Sequence, residues 1–273
     1  MTTIAEVAEH DAAGRVAALY ADIRNVSGTP LVNLVYRHLA TDPDMLDWAW
    51  QAMRPHFLSG ALAAQAASLR RRAGHLVSTW PMEAAAVGGV RGLDDAIRLI
   101  LTYNRANSVN LMALTHLLQP RDSALVDAAC EQPASVKAEA LPRLPALAEL
   151  PEAEQARIHR LNAFAEPDTP VILASLYRHL AVWPEVLPVA ERLLAPLDRA
   201  GLLAHARATV CDAARRIATE RPLAMPAAPP EFTRRFGARL GRLAEVTISK
   251  MIPIGAALAA SLQAAVDQDR LRE

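Results

Sequence analysis

The chain has 273 residues, 52 % of them apolar and only 4 % aromatic, and its 29 Lys and Arg are matched by 29 Asp and Glu. Zero formal charge argues against a general nucleic-acid or anionic-membrane binder, while the length allows one large core or two domains of about 130 residues. Ala and Leu dominate the apolar share and β-branched runs are missing, so the composition reads as all-α.

Asp11 is placed to cap a helix over 12–25, whose Val16, Leu19, Tyr20 and Ile23 share a face. Thr29-Pro30 reads as cap and first-turn proline of a helix over 31–40. Asp42-Pro43 starts a third helix, carrying Leu46, Trp48, Trp50 and Met53 and ending near Pro55. An Ala-rich basic helix follows over 61–76, with Arg70, Arg71 and Arg72 on a solvated face. Gly88, Gly89 and Gly92 then break the chain; they follow no strand, which argues against a phosphate loop.

Asp95 sits in the acidic first turn of the next helix, which runs to about 118. Asn104, Asn107 and Asn110 recur on one face of it, inside a mostly apolar run. Asn is a poor helix-interior residue, and a buried amide without partners costs roughly 1–3 kcal/mol. Either these amides bond each other, nearby backbone or buried water, or they line a small polar pocket that orients a water or a ligand.

From 119 to 152 the texture changes. Pro120, Pro133, Pro142, Pro145 and Pro151 mark a linker with one short helix over 123–130. The first half then starts again. Tyr36-Arg37-His38-Leu39-Ala40 returns as Tyr177-Arg178-His179-Leu180-Ala181, and Pro43, Leu46, Ala49 and Pro55 return as Pro184, Leu187, Ala190 and Pro196. Thr29-Pro30 returns as Thr169-Pro170. A repeat this long predicts two homologous helical halves, 1–119 and 152–273, joined by the linker 120–151 and packed as a pseudo-dimer. A second proline cluster, Pro222 to Pro230, divides a helix over 202–217 from a last helical region over 232–271, which Pro253 should kink or break.

The pattern resembles the group I α-haloacid dehalogenases, an all-helical family with two weakly similar halves that accepts D- and L-2-haloacids. The resemblance rests on Leu19-Tyr20-Ala21-Asp22-Ile23-Arg24, Leu39-Ala40-Thr41 with Pro43, and Tyr103-Asn104-Arg105-Ala106-Asn107. It continues in Trp183-Pro184 with Val186-Leu187, and in Ala244-Glu245-Val246-Thr247-Ile248-Ser249. It implies direct attack of water on the halogen-bearing carbon of a small carboxylate substrate, with an Asn and an Asp holding the water and the Asp acting as base. The family Asn falls on Asn107, with Asn104 in support.

The family Asp falls on Leu176, which cannot accept a proton, and its first-half counterpart Val35 cannot either. Two aromatic pocket positions become Leu31 and Leu34. Three readings follow: Asp168 or Glu166 supplies the carboxylate from the loop before the helix; the fold serves another displacement, such as amine attack with loss of sulfate or halide; or the chain is a non-catalytic small-molecule-binding or partner protein. Glu245 is a further candidate base.

Lys250 stands where the family has an apolar residue; it either snorkels from a helix edge or, if buried, pairs with Glu245 or a substrate anion. Ser175 and Tyr177 flank Leu176 and either line the pocket or serve as ordinary helix residues. His38 and His179 hold equivalent repeat positions and read as scaffold. His116 reads as locally satisfied near its helix end. Trp48, Trp50 and Trp183 read as core or half–half interface. The histidines show no metal-ligand spacing, so neither metal nor cofactor is expected.

Cys130 and Cys211 lie far apart and predict a reducing, cytoplasmic location. Glu6, Glu9 and Asp11 occupy the place where an export signal needs basic residues, and the apolar run 251–266 is short for a bilayer. No nucleic-acid or membrane partner is expected; a homodimer or a partner protein remains open.

Overall fold

Glu9 decides where the second helix begins. One of its carboxylate oxygens accepts the Val32 N–H at 2.8 Å and the other accepts Arg24 at 2.8 Å, so the chain after Thr29 stays extended instead of coiling. These are features of a computed structural model that describes residues 4–82, 87, 90–119, 141–166 and 172–271. The helix expected over 123–130, and Cys130, Asp168, Thr169 and Pro170 with it, lie outside the described residues.

Among the described residues the regular structure is helical. Helix α1 (Gly14–Ser27) starts after Ala13 without a side-chain cap; Asp11 lies in a turn that precedes it, so it is not the cap expected. Helix α2 (Leu34–Leu39) is capped by Asn33, whose Oδ1 accepts the Val35 N–H, and not by Thr29. Helix α3 (Pro43–Leu58) starts as predicted, with the Asp42 carboxylate accepting the Asp44 and Met45 N–H groups. It passes through Pro55, because the carbonyl that Pro55 leaves unbonded belongs to exposed Gln51 near the helix end. Helix α4 (Ala61–Val77) exposes Arg71 and Arg72, but Arg70 is half-buried.

Helix α5 (Leu93–Leu118) carries the asparagines, all of them buried. After a short 3₁₀ turn, Leu147–Glu149, come α6 (Glu152–Ala163), α7 (Ser175–Leu180), α8 (Val186–Arg199) and α9 (Leu202–Glu220). The last helix, α10, joins α-helical Pro230–Phe232, Ala238–Arg242 and Ser249–Arg270 through π-type turns at Thr233–Gly237 and Leu243–Ile248. Pro253 therefore does not break it. The π turn just before the proline shifts the bonding pattern, and Ser249 Oγ donates to the Ala244 carbonyl at 2.6 Å. Helices α1 to α5 precede the expected linker and α6 to α10 follow it.

Two hydrophobic clusters form, and α5 and α10 run through both. Leu111, Leu114 and Leu117 of α5 join Phe232, Phe236 and Ile252 of α10 in the cluster built on α1 to α3. Leu93, Ile97 and Ile100 join Ile254, Leu258 and Leu262 in the cluster built on α6 to α8. The two long helices thus run antiparallel and cross between the clusters. Part of α10 is long and apolar enough to cross a membrane, but 78 % of that stretch is buried inside the fold, as in a core helix.

Gly92 sets the start of α5 against Trp183. Its φ is +71°, and a Cβ there would lie 2.3 Å from Trp183 Cδ1. Gly92→Ala is expected to destabilise by about 2–4 kcal/mol, overpacking added to left-handed strain. Gly28→Ala, with φ +61° and open space around it, carries only the strain of about 1 kcal/mol. Urea unfolding of both variants checks the difference.

Candidate active site

The crossing of α5 and α10 is roofed by the entries to α2 and α7, and a cavity of about 30 Å³ lies between them. Asn33, Arg37, Asn107, Ser175 and Thr247 are its polar lining. Leu31, Leu34, Leu176, Ile248 and Met251 are apolar lining, and Tyr103 lines it as well. The space suits one or two water-sized groups.

Asn107 is 7 % exposed, and its Oδ1 accepts Asn33 Nδ2 in a long 3.4 Å contact. The same Asn33 caps α2, so the short helix and the site amide share one support. The three asparagines do different things. Asn104 donates to the Ile252 carbonyl of α10 at 2.8 Å, pressed against Gly255, and does not line the cavity. Asn110 donates to the Ala106 carbonyl of its own helix.

Leu31, Leu34, Ser175 and Leu176 reach the cavity with Asn107; Tyr177 and Lys250 do not. Tyr177 is fully buried with its hydroxyl unpartnered. Lys250 is fully buried and donates to the Glu166 carboxylate and the Asn162 carbonyl. It does not snorkel, and its partner is not Glu245. Burial pulls the Lys250 pKa down, and Glu166 opposes that pull. Glu245 is exposed and paired with Arg215 at 2.5 Å, on the rim of a separate cleft of about 870 Å³ between α9 and the end of α5. Asp168 is outside the described residues. Among the described residues, no carboxylate lines the small cavity.

Arg37, Asn33, Tyr103 and Thr247 line the site without having been singled out by the sequence. Arg37 is 4 % exposed; its Nε donates to Glu6 at 2.7 Å, and its terminal nitrogens donate to the Val32 carbonyl and Ser175 Oγ. The available signals were the repetition of Arg37 as Arg178 and the place of Tyr103 and Thr247 in the resembling segments. Tyr103 meets His179 Nδ1 at 3.1 Å, while His179 Nε2 meets the Pro142 carbonyl at 2.7 Å. These partners fix the tautomer: Nε2–H donates to the carbonyl and Nδ1 accepts from the tyrosine. Burial lowers the His179 pKa and raises that of Tyr103, so both stay neutral at pH 7. His38 likewise bonds the Ala5 carbonyl at 2.7 Å, so each repeat histidine ties its short helix to an approaching segment. His116 meets Gln65 at 2.7 Å, Trp50 donates to Asp22, and Trp48 packs on Phe232.

This arrangement of helices is the fold of solved D-2-haloacid dehalogenase structures. A D-2-haloacid dehalogenase mutant in complex with D-2-CPA matches with a TM-score of 0.72 at 17 % identity, over 96 % of each chain. A D-2-halacid dehalogenase mutant matches at 0.71 and 19 % identity, over 95 % of this chain and 94 % of that one. The D-2-haloacid dehalogenase complex with L-LA matches at 0.70 and 19 % identity, over 97 % and 96 %. No family model matches the chain, and no curated protein does. Identity this low carries the fold and leaves function to the site.

Proposed function

We propose that this chain, without a cofactor, displaces a leaving group from a small 2-substituted carboxylic acid by direct attack of a nucleophile that Asn107 orients. Hydrolysis of 2-haloacids is the form that the structural likeness favours. The observation that carries the reading is the buried Asn107 amide, which lines a small cavity together with Leu31, Leu34 and Leu176. An amide in that position aims an attacking atom, and its apolar neighbours limit the water around it. In hydrolysis a water oxygen bonds to carbon 2 as halide leaves with the bonding electrons, and a carboxylate takes the water proton. Glu166 and Glu245 are engaged by Lys250 and Arg215, so Asp168 is the base this reading assigns.

A second reading has its own support: Leu176 stands where the resemblance expects Asp, and no described carboxylate lines the cavity. A substrate amine attacking its own carbon, with halide or sulfate leaving and the proton passing to solvent, needs orientation more than a base. The different-class alternative is a non-catalytic binding or partner protein. Pseudo-twofold packing of the halves and a cytoplasmic location belong to the same proposal, and the repeated sequence segments support the first of these.

Chloride release from D- and L-2-chloropropionate tests the proposal. Wild-type protein is expected to release chloride from at least one enantiomer. No release from either removes the hydrolytic reading and leaves the amine-attack and binding readings.

A further inference from the structure

The internal repeat breaks down at one position beside the cavity. Asn33 stands three residues before Tyr36, and its repeat counterpart, three residues before Tyr177, is Ala174. The Asn33 side chain caps α2, whereas α7 begins after Ala174 with no side-chain cap. Both helices have only six residues, too few to hold their first turn by their own hydrogen bonds. Ala174, Ser175 and Leu176 nevertheless line the cavity, so the entry to α7 is set from elsewhere.

Asn162, near the end of α6, sets it. Its side chain is fully buried; Oδ1 accepts the Ala174 N–H at 3.0 Å and Nδ2 donates to the Ile172 carbonyl at 3.2 Å. The Asn162 backbone carbonyl in turn accepts the Lys250 ammonium at 2.5 Å. The same ammonium pairs with Glu166. Ala165, just before Glu166, has φ +62°, alone among the described residues other than glycine in taking the left-handed region. Such strain persists where the surroundings over-determine the backbone. Here Asp198 of α8 accepts the Ala165 N–H at 2.8 Å, and Lys250 holds the next residue. A left-handed alanine, a buried ammonium and a buried carboxylate each cost free energy. What they secure in common is the chain that leaves α6 and enters α7.

We infer that Lys250 is a positioning residue: through Asn162 it replaces the cap that α7 lacks, and so sets Ser175 and Leu176 at the cavity. Lys250 itself does not line the cavity and acts only through the backbone it holds. The inference rests on the displacement reading for its effect on turnover, and on the fold alone for its effect on α7.

Hydrogen exchange of the full chain, read on the peptide 172–180, tests this together with chloride release from 2-chloropropionate. The apolar pair Lys250→Met with Glu166→Leu fills the same space but loses the bond to the Asn162 carbonyl. In that variant the 172–180 peptide is expected to exchange at least about tenfold faster while α5 keeps its protection. The value of kcat/KM is expected to fall by about tenfold. Adding Ala174→Asn, which gives α7 the kind of cap that α2 has, is expected to bring exchange back to within about threefold of wild type and to recover kcat/KM. A role in general stability predicts no such rescue. Unchanged exchange in 172–180, equally faster exchange throughout the chain, or no recovery with Ala174→Asn overturns the assignment. If the apolar pair fails to fold, Asn162→Ala with and without Ala174→Asn decides by the same readouts.

A wild type that releases no chloride removes the hydrolytic reading, and exchange still decides the role of Lys250. Chloride release that is indifferent to a loosened α7 entry keeps that reading and ends the positioning role.

Discussion

Replacing Lys250 by Ala destabilises the protein by about 3–5 kcal/mol, the expected loss when one partner of a buried ion pair is removed. The ammonium is 0 % exposed and the Glu166 carboxylate 3 %, so neither charge is relieved by water once the other is gone. Lys250 follows the π turn of α10, and Glu166 follows the end of α6, so the pair fastens the last helix to α6. Lys250 also donates to the Asn162 carbonyl, while the Asn162 side chain bonds Ile172 and Ala174 at the entry to α7. One lysine therefore braces the turn that delivers Ser175 and Leu176 to the cavity.

Three variants separate charge from packing. Lys250→Met with Glu166→Leu should recover most of the loss, because an apolar pair of similar volume carries no desolvation penalty. Glu166→Gln alone leaves a lysine that can shed its proton, so it should be milder than Lys250→Ala. Its sign with pH is fixed. The folded-state lysine pKa is depressed by burial, and losing Glu166 removes what opposes that. The unfolded chain then binds more protons than the folded one, so stability rises with pH from neutrality toward the free-lysine value of about 10.4. Urea unfolding at pH 6, 8 and 10 reads the slope; a flat or falling profile contradicts this account of the pair.

The second large effect is on activity. Asn107→Ala is expected to lower kcat for chloride release by about 10²-fold, the order of loss when an attacking group is misplaced by an ångström. KM should change far less, because Asn107 acts on the attacking atom and not on the rest of the substrate. Stability should fall by about 1 kcal/mol, since the amide makes one long hydrogen bond, to Asn33. A folded Asn107→Ala protein that turns over like wild type removes this residue from the mechanism. Asn104→Ala is the informative contrast. Asn104 ties α5 to the Ile252 carbonyl, so its loss should lower stability first and alter the reaction only through the crossing of α5 with α10.

Much of the secondary structure was legible because its signals are local. Asp42-Pro43 caps and starts α3, the acidic pair Asp94 and Asp95 opens α5, and the apolar period of each helix marks its buried face. Where local signals misled, a distant group had intervened. Thr29-Pro30 looks like a helix start, but Glu9 takes the Val32 N–H and Asn33 becomes the cap. Pro253 looks like a break, but a π turn ahead of it and burial along α10 carry the helix through.

By itself the sequence determined most of the helices and the presence of three amides on the apolar face of α5, because periodicity and capping act over a few residues. Only the tertiary structure decided which amide faces the cavity, and that Arg37 bonds both Glu6 and Ser175. It likewise gave Lys250 a partner 84 positions away and Asn104 one 148 positions away. Buried polar groups must find partners wherever packing brings them, and the crossing of two long helices sets that proximity.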